Sequence, residues 1–108
     1  MQKGDVAELN MQKMLRSEGK MTVNAHNCIV LRYDDKQEYL YLGLQTGNLG
    51  DVSLDAVYQC VIKSEQEAMI CTGRVTERYC DKEGNVLKIQ VGNGFYKINI
   101  KSVDKQMA

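Results

Sequence analysis

Residues 56–100 read AVYQCVIKSEQEAMICTGRVTERYCDKEGNVLKIQVGNGFYKINI, and this stretch predicts the fold of the chain. It consists of segments in which apolar and polar residues alternate, separated by short polar turns. That pattern is typical of antiparallel β-hairpins that bury one face and expose the other. Each turn suggests which residues of its two strands are paired, and the apolar pattern checks that pairing, because a shift of one residue would move every apolar side chain to the exposed face. The expectation is a sheet with one dry face.

The first of these hairpins places two cysteines opposite each other. Residues 56–62 and 68–79 flank a polar turn formed by residues 63–67. Pairing across this turn puts three pairs on the inward face: Ile62 with Met69, Cys60 with Cys71, and Tyr58 with Gly73. Opposed Cβ atoms in a sheet lie ~4.5–5.5 Å apart, which exceeds the ~3.8 Å typical of a disulfide. We therefore expect two reduced thiols, with a disulfide between them as the alternative.

The last hairpin is predicted from Asn93-Gly94, because Asn-Gly favours the type I′ turn, in which both central residues have positive φ. With this dipeptide at the turn, residues 86–91 pair with residues 95–100. Three apolar pairs then share one face: Val91 with Tyr96, Ile89 with Ile98, and Leu87 with Ile100. A further polar turn, residues 81–85, connects this hairpin to the preceding one. The second half of the chain therefore predicts four consecutive strands.

The first half of the chain adds two strands and a terminal helix. Residues 27–33 contain a continuous apolar run, and residues 39–44 place three leucines on one side and two tyrosines on the other. Asp5 is positioned to cap a helix within residues 1–19, so we expect a short N-terminal helix or arm there. Closing the sheet into a barrel would bury its apolar face and remove its edges. We expect a mainly β fold in which residues 20–108 form a single domain, a six- to seven-stranded antiparallel small barrel or bent sheet.

The composition of the 108 residues argues against several classes of protein. The 14 Lys and Arg residues balance the 14 Asp and Glu residues, and zero net charge disfavours a nonspecific nucleic-acid binder. No apolar run approaches the ~20 residues of a membrane-spanning helix. The N-terminus also lacks the apolar core of a secretion signal. We therefore expect a cytoplasmic protein without a membrane partner.

The four cysteines and the one histidine, His26, do not form a metal-binding pattern. The cysteines lie at positions 28, 60, 71 and 80, without a CxxC pair. Structural zinc sites usually take their ligands from closely spaced pairs, so we expect neither a metal nor a cofactor. Free thiols are typical of a reducing compartment.

One segment carries a resemblance to a known family. Gly50-Asp51-Val52-Ser53-Leu54-Asp55-Ala56 resembles the D-x-S-x-x-G element of PilZ domains, which are small β-barrels that bind the cyclic dinucleotide c-di-GMP. Asp51 and Ser53 match that element, and Ala56 stands where the family has glycine. The resemblance implies that the Asp and Ser side chains bond a guanine base and its surroundings, at the point where a loop meets a barrel strand.

PilZ domains also use an R-x-x-x-R element, upstream of the barrel, to grip phosphates. In this chain the pattern occurs downstream instead, with Arg74 and Arg78 at its ends, while Arg16 and Arg32 stand alone. Side chains four apart on a strand project on the same face, so Arg74 and Arg78 are expected to share the outward face. Arginine forks bind phosphate or carboxylate through two parallel hydrogen bonds, which makes this pair a candidate anion site.

The run of short strands is also similar to the N-terminal barrel that precedes PilZ in flagellar brake proteins and does not bind the nucleotide. The similarity lies in residues 56–62, 71–75 and 86–91. The two resemblances imply a bacterial, non-catalytic regulatory module that contacts a protein partner, a second copy of itself, or an anionic small molecule such as a cyclic dinucleotide. The expected ligand surface consists of Asp51, Ser53, Arg74 and Arg78.

Two alternatives from other functional classes stay open. An oligonucleotide-binding barrel of the OB type would stack bases on Tyr39 and Tyr41 and contact phosphates with Lys88 and Lys97. A cysteine-dependent enzyme would bring an unusually reactive thiol close to His26. The outward tyrosines are also compatible with a half-buried surface under the N-terminal helix or in a dimer contact.

Overall fold

The computed structural model describes residues 1–14, 25–65, 67–92 and 94–99. They form seven β-strands and a short 3₁₀ helix, Leu49–Asp51. In chain order the strands are β1 (Val6–Met14), β2 (Ala25–Asp34), β3 (Tyr39–Leu44), β4 (Ala56–Lys63), β5 (Glu67–Asp81), β6 (Gly84–Val91) and β7 (Tyr96–Asn99). The mainly β fold predicted from the sequence is confirmed.

Six of the strands close into an antiparallel barrel. They follow the order β4-β1-β2-β3-β6-β5, and β5 pairs back with β4. β7 is an additional strand that pairs with β5. Closure gives every barrel strand a neighbour on both sides and turns the alternating apolar positions inward. The small antiparallel barrel is therefore confirmed.

The inward side chains of the six barrel strands form the hydrophobic core. Leu40 and Leu42 of β3 and Ile89 of β6 are almost fully buried there. The predicted pairing of β4 with β5 is confirmed in all three pairs: Ile62 with Met69, Cys60 with Cys71, and Tyr58 with Gly73. A Cβ added to Gly73 would clash with the carbonyl oxygen of Gln90, so the position opposite Tyr58 requires glycine.

The N-terminal helix predicted within residues 1–19 is wrong over its described part, where the chain forms β1 instead. β1 lies between β2 and β4 and pairs with both. Ala7 and Leu9 face the core without accessible surface, while Val6 is 54% exposed, so burial follows the two-residue period of a strand. Ladder hydrogen bonds on both edges and two buried side chains outweigh the helix propensity of the segment. Residues 15–19 lie outside the described residues.

The hairpin predicted between residues 86–91 and 95–100 does not form. β6 and β7 lie one after the other along the same edge of β5. β3 occupies the other edge of β6, so β6 has no free edge that β7 could join. The backbone N–H of Gly92 donates to the carbonyl oxygen of Thr72 at 2.9 Å, which keeps the chain on β5 where the turn was predicted.

The two strands that were predicted to pair in this hairpin, β6 and β7, differ in burial. The predicted inward residues of β6, Leu87, Ile89 and Val91, are buried. Tyr96 of β7 was predicted to be buried with them but is 54% exposed. Ile98 lies opposite Ala68 of β5 rather than opposite β6, and Ile100 falls outside the described residues.

Candidate ligand surface beside the barrel-end loop

Residues 45–55 cross one end of the barrel, and we name this segment the barrel-end loop. It connects β3 to β4, which lie on opposite sides of the six-stranded ring, so the loop spans the full width of the barrel. Val52 inserts into the core and is fully buried, and Ser53 beside it is 8% exposed. Two of the four predicted ligand residues, Asp51 and Ser53, belong to this loop.

Asp51 and Ser53 both make hydrogen bonds that shape the loop. The backbone N–H of Asn48 donates to Oδ2 of Asp51 at 3.1 Å, and the backbone N–H of Asp55 donates to Oγ of Ser53 at 3.0 Å. The backbone N–H of Ser53 donates to the hydroxyl oxygen of Tyr58 at 3.0 Å. Asp and Ser commonly close turns through such side-chain-to-backbone bonds. The D-x-S segment therefore holds the barrel-end loop in place.

Arg78 holds the same loop from β5. Its Nη1 donates to the carbonyl oxygen of Leu49 at 3.2 Å and to that of Val52. The prediction that Arg74 and Arg78 share the outward face is wrong, because Thr76 is an extra residue that forms a β-bulge against β6. Beyond the bulge, Arg78 lies opposite a buried leucine of β6 and reaches the barrel end. Arg74 stays on the outer wall.

Arg74 projects beside a shallow recess of about 410 Å³ on the outer wall. The recess is lined by Leu54, Arg74, Val75, Thr76 and Gln90. Arg74 lies opposite Gln90 of β6. Its guanidinium forms no hydrogen bond or ion pair with any described residue. This arginine is therefore available to an anionic group from outside the chain.

The other polar side chains of the recess are partly engaged. The hydroxyl of Thr76 donates to the carbonyl oxygen of Lys88 at 3.2 Å, and Nε2 of Gln90 donates to the carbonyl oxygen of Gln37 at 3.1 Å. The side-chain oxygen of Gln90 keeps its acceptor capacity. Leu54 is 38% exposed and forms an apolar wall. The recess thus combines a cation without a partner among the described residues, an amide acceptor and apolar surface.

His26 and Tyr58 lie beneath the barrel-end loop, an arrangement that the sequence reasoning missed. Their rings meet edge to face with centroids 5.7 Å apart. His26 is 4% exposed, and its Nε2 has no hydrogen-bond partner among the described residues. Burial lowers the pKa of His26, and the nearby carboxylate of Asp51 opposes that shift. The alternation of His26 with Cys28 and other inward residues of β2 is the signal that could have placed it inside.

Three of the four cysteines are core residues, and all four are free thiols. Burial raises the pKa of Cys28 to about 12. A hydrogen bond from Cys60 to Cys71 raises the pKa of the first thiol and lowers that of the second. Cys80 is the exposed member of the set. Buried thiols of this kind are suited to core packing rather than to nucleophilic attack.

The two tyrosines of β3 face outward, as predicted, and each carries a cation on its ring. The guanidinium carbon of Arg32 lies 4.1 Å from the ring centroid of Tyr41. The ammonium nitrogen of Lys88 lies 4.1 Å from the ring centroid of Tyr39. Lys97 belongs to β7 and does not join these side chains through a β6–β7 hairpin. One face of each ring is therefore already covered.

No family model, no curated protein and no solved structure matches the chain. Within the described residues there is no group of three or more side chains suited to hold a metal ion. None of the described helical structure has the length and hydropathy needed to cross a membrane.

Proposed function

We propose that this chain is a non-catalytic binding module whose Arg74 recess holds the anionic group of a ligand or partner. The observation that carries the proposal is the unpaired guanidinium of Arg74 beside an open recess. An arginine fork binds phosphate or carboxylate through two parallel hydrogen bonds. Leu54, which is 38% exposed, supplies apolar contact next to that charge.

Two features support a PilZ-like ligand for this recess. The barrel is small, antiparallel and closed, and the D-x-S segment lies where the barrel-end loop meets β4. Leu54 belongs to that segment and lines the recess, so the segment and Arg74 border one surface. A cyclic dinucleotide offers phosphates to the arginine and flat bases to the apolar wall. The ligand that we propose is therefore c-di-GMP.

The four predicted ligand residues have different roles in this proposal. Arg74 contacts the ligand directly. Asp51, Ser53 and Arg78 act as positioning residues, because their hydrogen bonds fix the loop that carries Leu54. Changing any of these three should alter loop stability first and ligand affinity second.

A thermal-shift titration of the full chain with c-di-GMP, with GMP as the control nucleotide, tests the proposal. A ligand that binds only the folded state raises the melting temperature. The rise should disappear in Arg74→Ala and persist in Lys36→Ala, which removes the same charge from an exposed turn outside the recess. An equal rise in both variants would contradict the site. No rise in the unaltered protein would contradict a cyclic dinucleotide and leave an acidic protein partner as the occupant.

A further inference from the structure

The barrel-end loop closes over the one histidine of the chain. His26 faces the barrel interior from β2 and is only 4% exposed. Its Nε2 atom has no hydrogen-bond partner among the described residues. Its ring meets the ring of Tyr58 edge to face, and the hydroxyl oxygen of Tyr58 accepts a hydrogen bond from the backbone N–H of Ser53. The imidazole, the tyrosine and the loop therefore form one continuous set of contacts.

The groups around His26 leave an imidazolium poorly compensated. Asp51, in the loop, is the charged group of the described residues that interacts electrostatically with His26, and its Oδ2 is engaged by the loop backbone. On β1 the residue opposite His26 is Leu9, and on β4 the contacting residue is the neutral Tyr58. From β5, Arg78 adds positive charge near Tyr58. A second positive charge beneath the loop would therefore be destabilising.

We propose that protonation of His26 releases the barrel-end loop, so that the loop is closed at neutral pH and opens in mild acid. A buried imidazolium can gain a partner if Asp51 turns away from the backbone N–H of Asn48, or it can gain water if the loop lifts. Either movement breaks contacts that now hold the loop. The inference concerns the chain alone and does not depend on the ligand proposed above.

The pKa of His26 in the closed and the open loop decides how pH changes the stability of the closed state. When the loop is closed, burial holds the pKa of His26 below 6.5, and when it is open the pKa returns to about that value. The open state binds the proton more tightly, so the closed state loses stability as the pH falls below about 6.5. At about pH 5.5 the protonated form of an ordinary imidazole outnumbers the neutral form ~10-fold. The population of the open loop should therefore increase by up to ~10-fold.

Hydrogen–deuterium exchange of the full chain at about pH 7.5 and about pH 5.5, corrected for intrinsic exchange rates, tests this inference. Amides of residues 45–55 should lose up to ~10-fold protection at the lower pH, while those of β3 and β6 keep theirs. His26→Phe retains an aromatic ring against Tyr58 but cannot be protonated, so its loop should show no such change. His26→Gln provides the same comparison if the first variant does not fold.

Three results would overturn the inference. Loop protection could stay the same in the unaltered protein, or it could fall equally in the variants without an imidazole. Protection could also fall throughout the barrel, which would show global destabilisation in place of loop release. Loop-specific loss that depends on His26 is the supporting result.

Discussion

At the residue scale, one inserted residue separates the roles of two arginines. Arg74 and Arg78 have the spacing of side chains that share a strand face. The bulge at Thr76 shifts that alternation by one residue, so Arg78 binds loop carbonyls while Arg74, on the outer wall, has no hydrogen-bond or ion-pair partner among the described residues. The sequence carries no signal for this bulge, because a threonine in a strand of alternating residues is ordinary.

Substituting the two arginines should therefore separate stability from ligand binding. Arg78→Ala leaves the carbonyl oxygens of Leu49 and Val52 without their donor and should lower the free energy of unfolding by about 1–2 kcal/mol. Arg74→Ala removes no hydrogen bond or ion pair to a described residue and should change the free energy of unfolding by less than about 0.5 kcal/mol. Urea denaturation measures both values. Equal losses in the two variants would contradict these roles.

At the element scale, the hydrogen-bond pattern of the β4–β5 hairpin decides the state of its cysteines. The backbone N–H of Ser64 donates to the carbonyl oxygen of Glu67 at 3.0 Å, which makes the pair that closes the turn a hydrogen-bonded pair. Bonded and non-bonded pairs alternate along an antiparallel ladder, so Cys60 and Cys71 also form a hydrogen-bonded pair. Cβ atoms are farther apart at such pairs than at non-bonded ones, which disfavours a disulfide.

Cys60 and Cys71 should consequently stay reduced under mild oxidation. Thiol counting in denaturant after treatment with a mild oxidant should still find the four thiols of the chain. Val61 and Ile70 form the neighbouring, non-bonded pair, so Val61→Cys/Ile70→Cys is the matched control and should form the disulfide. If the unaltered chain lost two thiols while the two introduced cysteines stayed reduced, the assigned hydrogen-bond pattern would be contradicted.

At the scale of the whole molecule, the errors of sequence-based prediction share one cause. The β4–β5 pairing and the faces of β3 were predictable because a local turn and a two-residue alternation determine them. The assignment of β1 and the partner of β7 depend on which strand edges are free once the barrel closes. β1 fills the gap between β2 and β4, and β3 blocks β7 from β6. Neither fact is encoded near the segment that it affects.

The sequence predicted part of the candidate surface, namely the residues whose positions depend on local loop structure. The D-x-S resemblance implied that Asp51 and Ser53 lie where a loop meets a strand, and the structure has them in the loop that leads into β4. Leu54 was missed as a wall of the Arg74 recess, because only the folded chain brings the loop against β5. The position of His26 under the loop could not be predicted, because a helix within residues 1–19 would leave this end of the barrel without β1, whose Leu9 lies opposite His26.

A ¹H–¹⁵N NMR titration of the full chain with c-di-GMP tests most directly whether the Arg74 recess is the ligand surface. We expect progressive shifts of backbone amides lining the recess, namely Leu54, Arg74, Val75, Thr76 and Gln90. The same titration of Arg74→Ala should leave those signals unmoved. Shifts confined to the tyrosine face of β3, or no shifts at an excess of nucleotide, would contradict the recess as the binding site for this ligand.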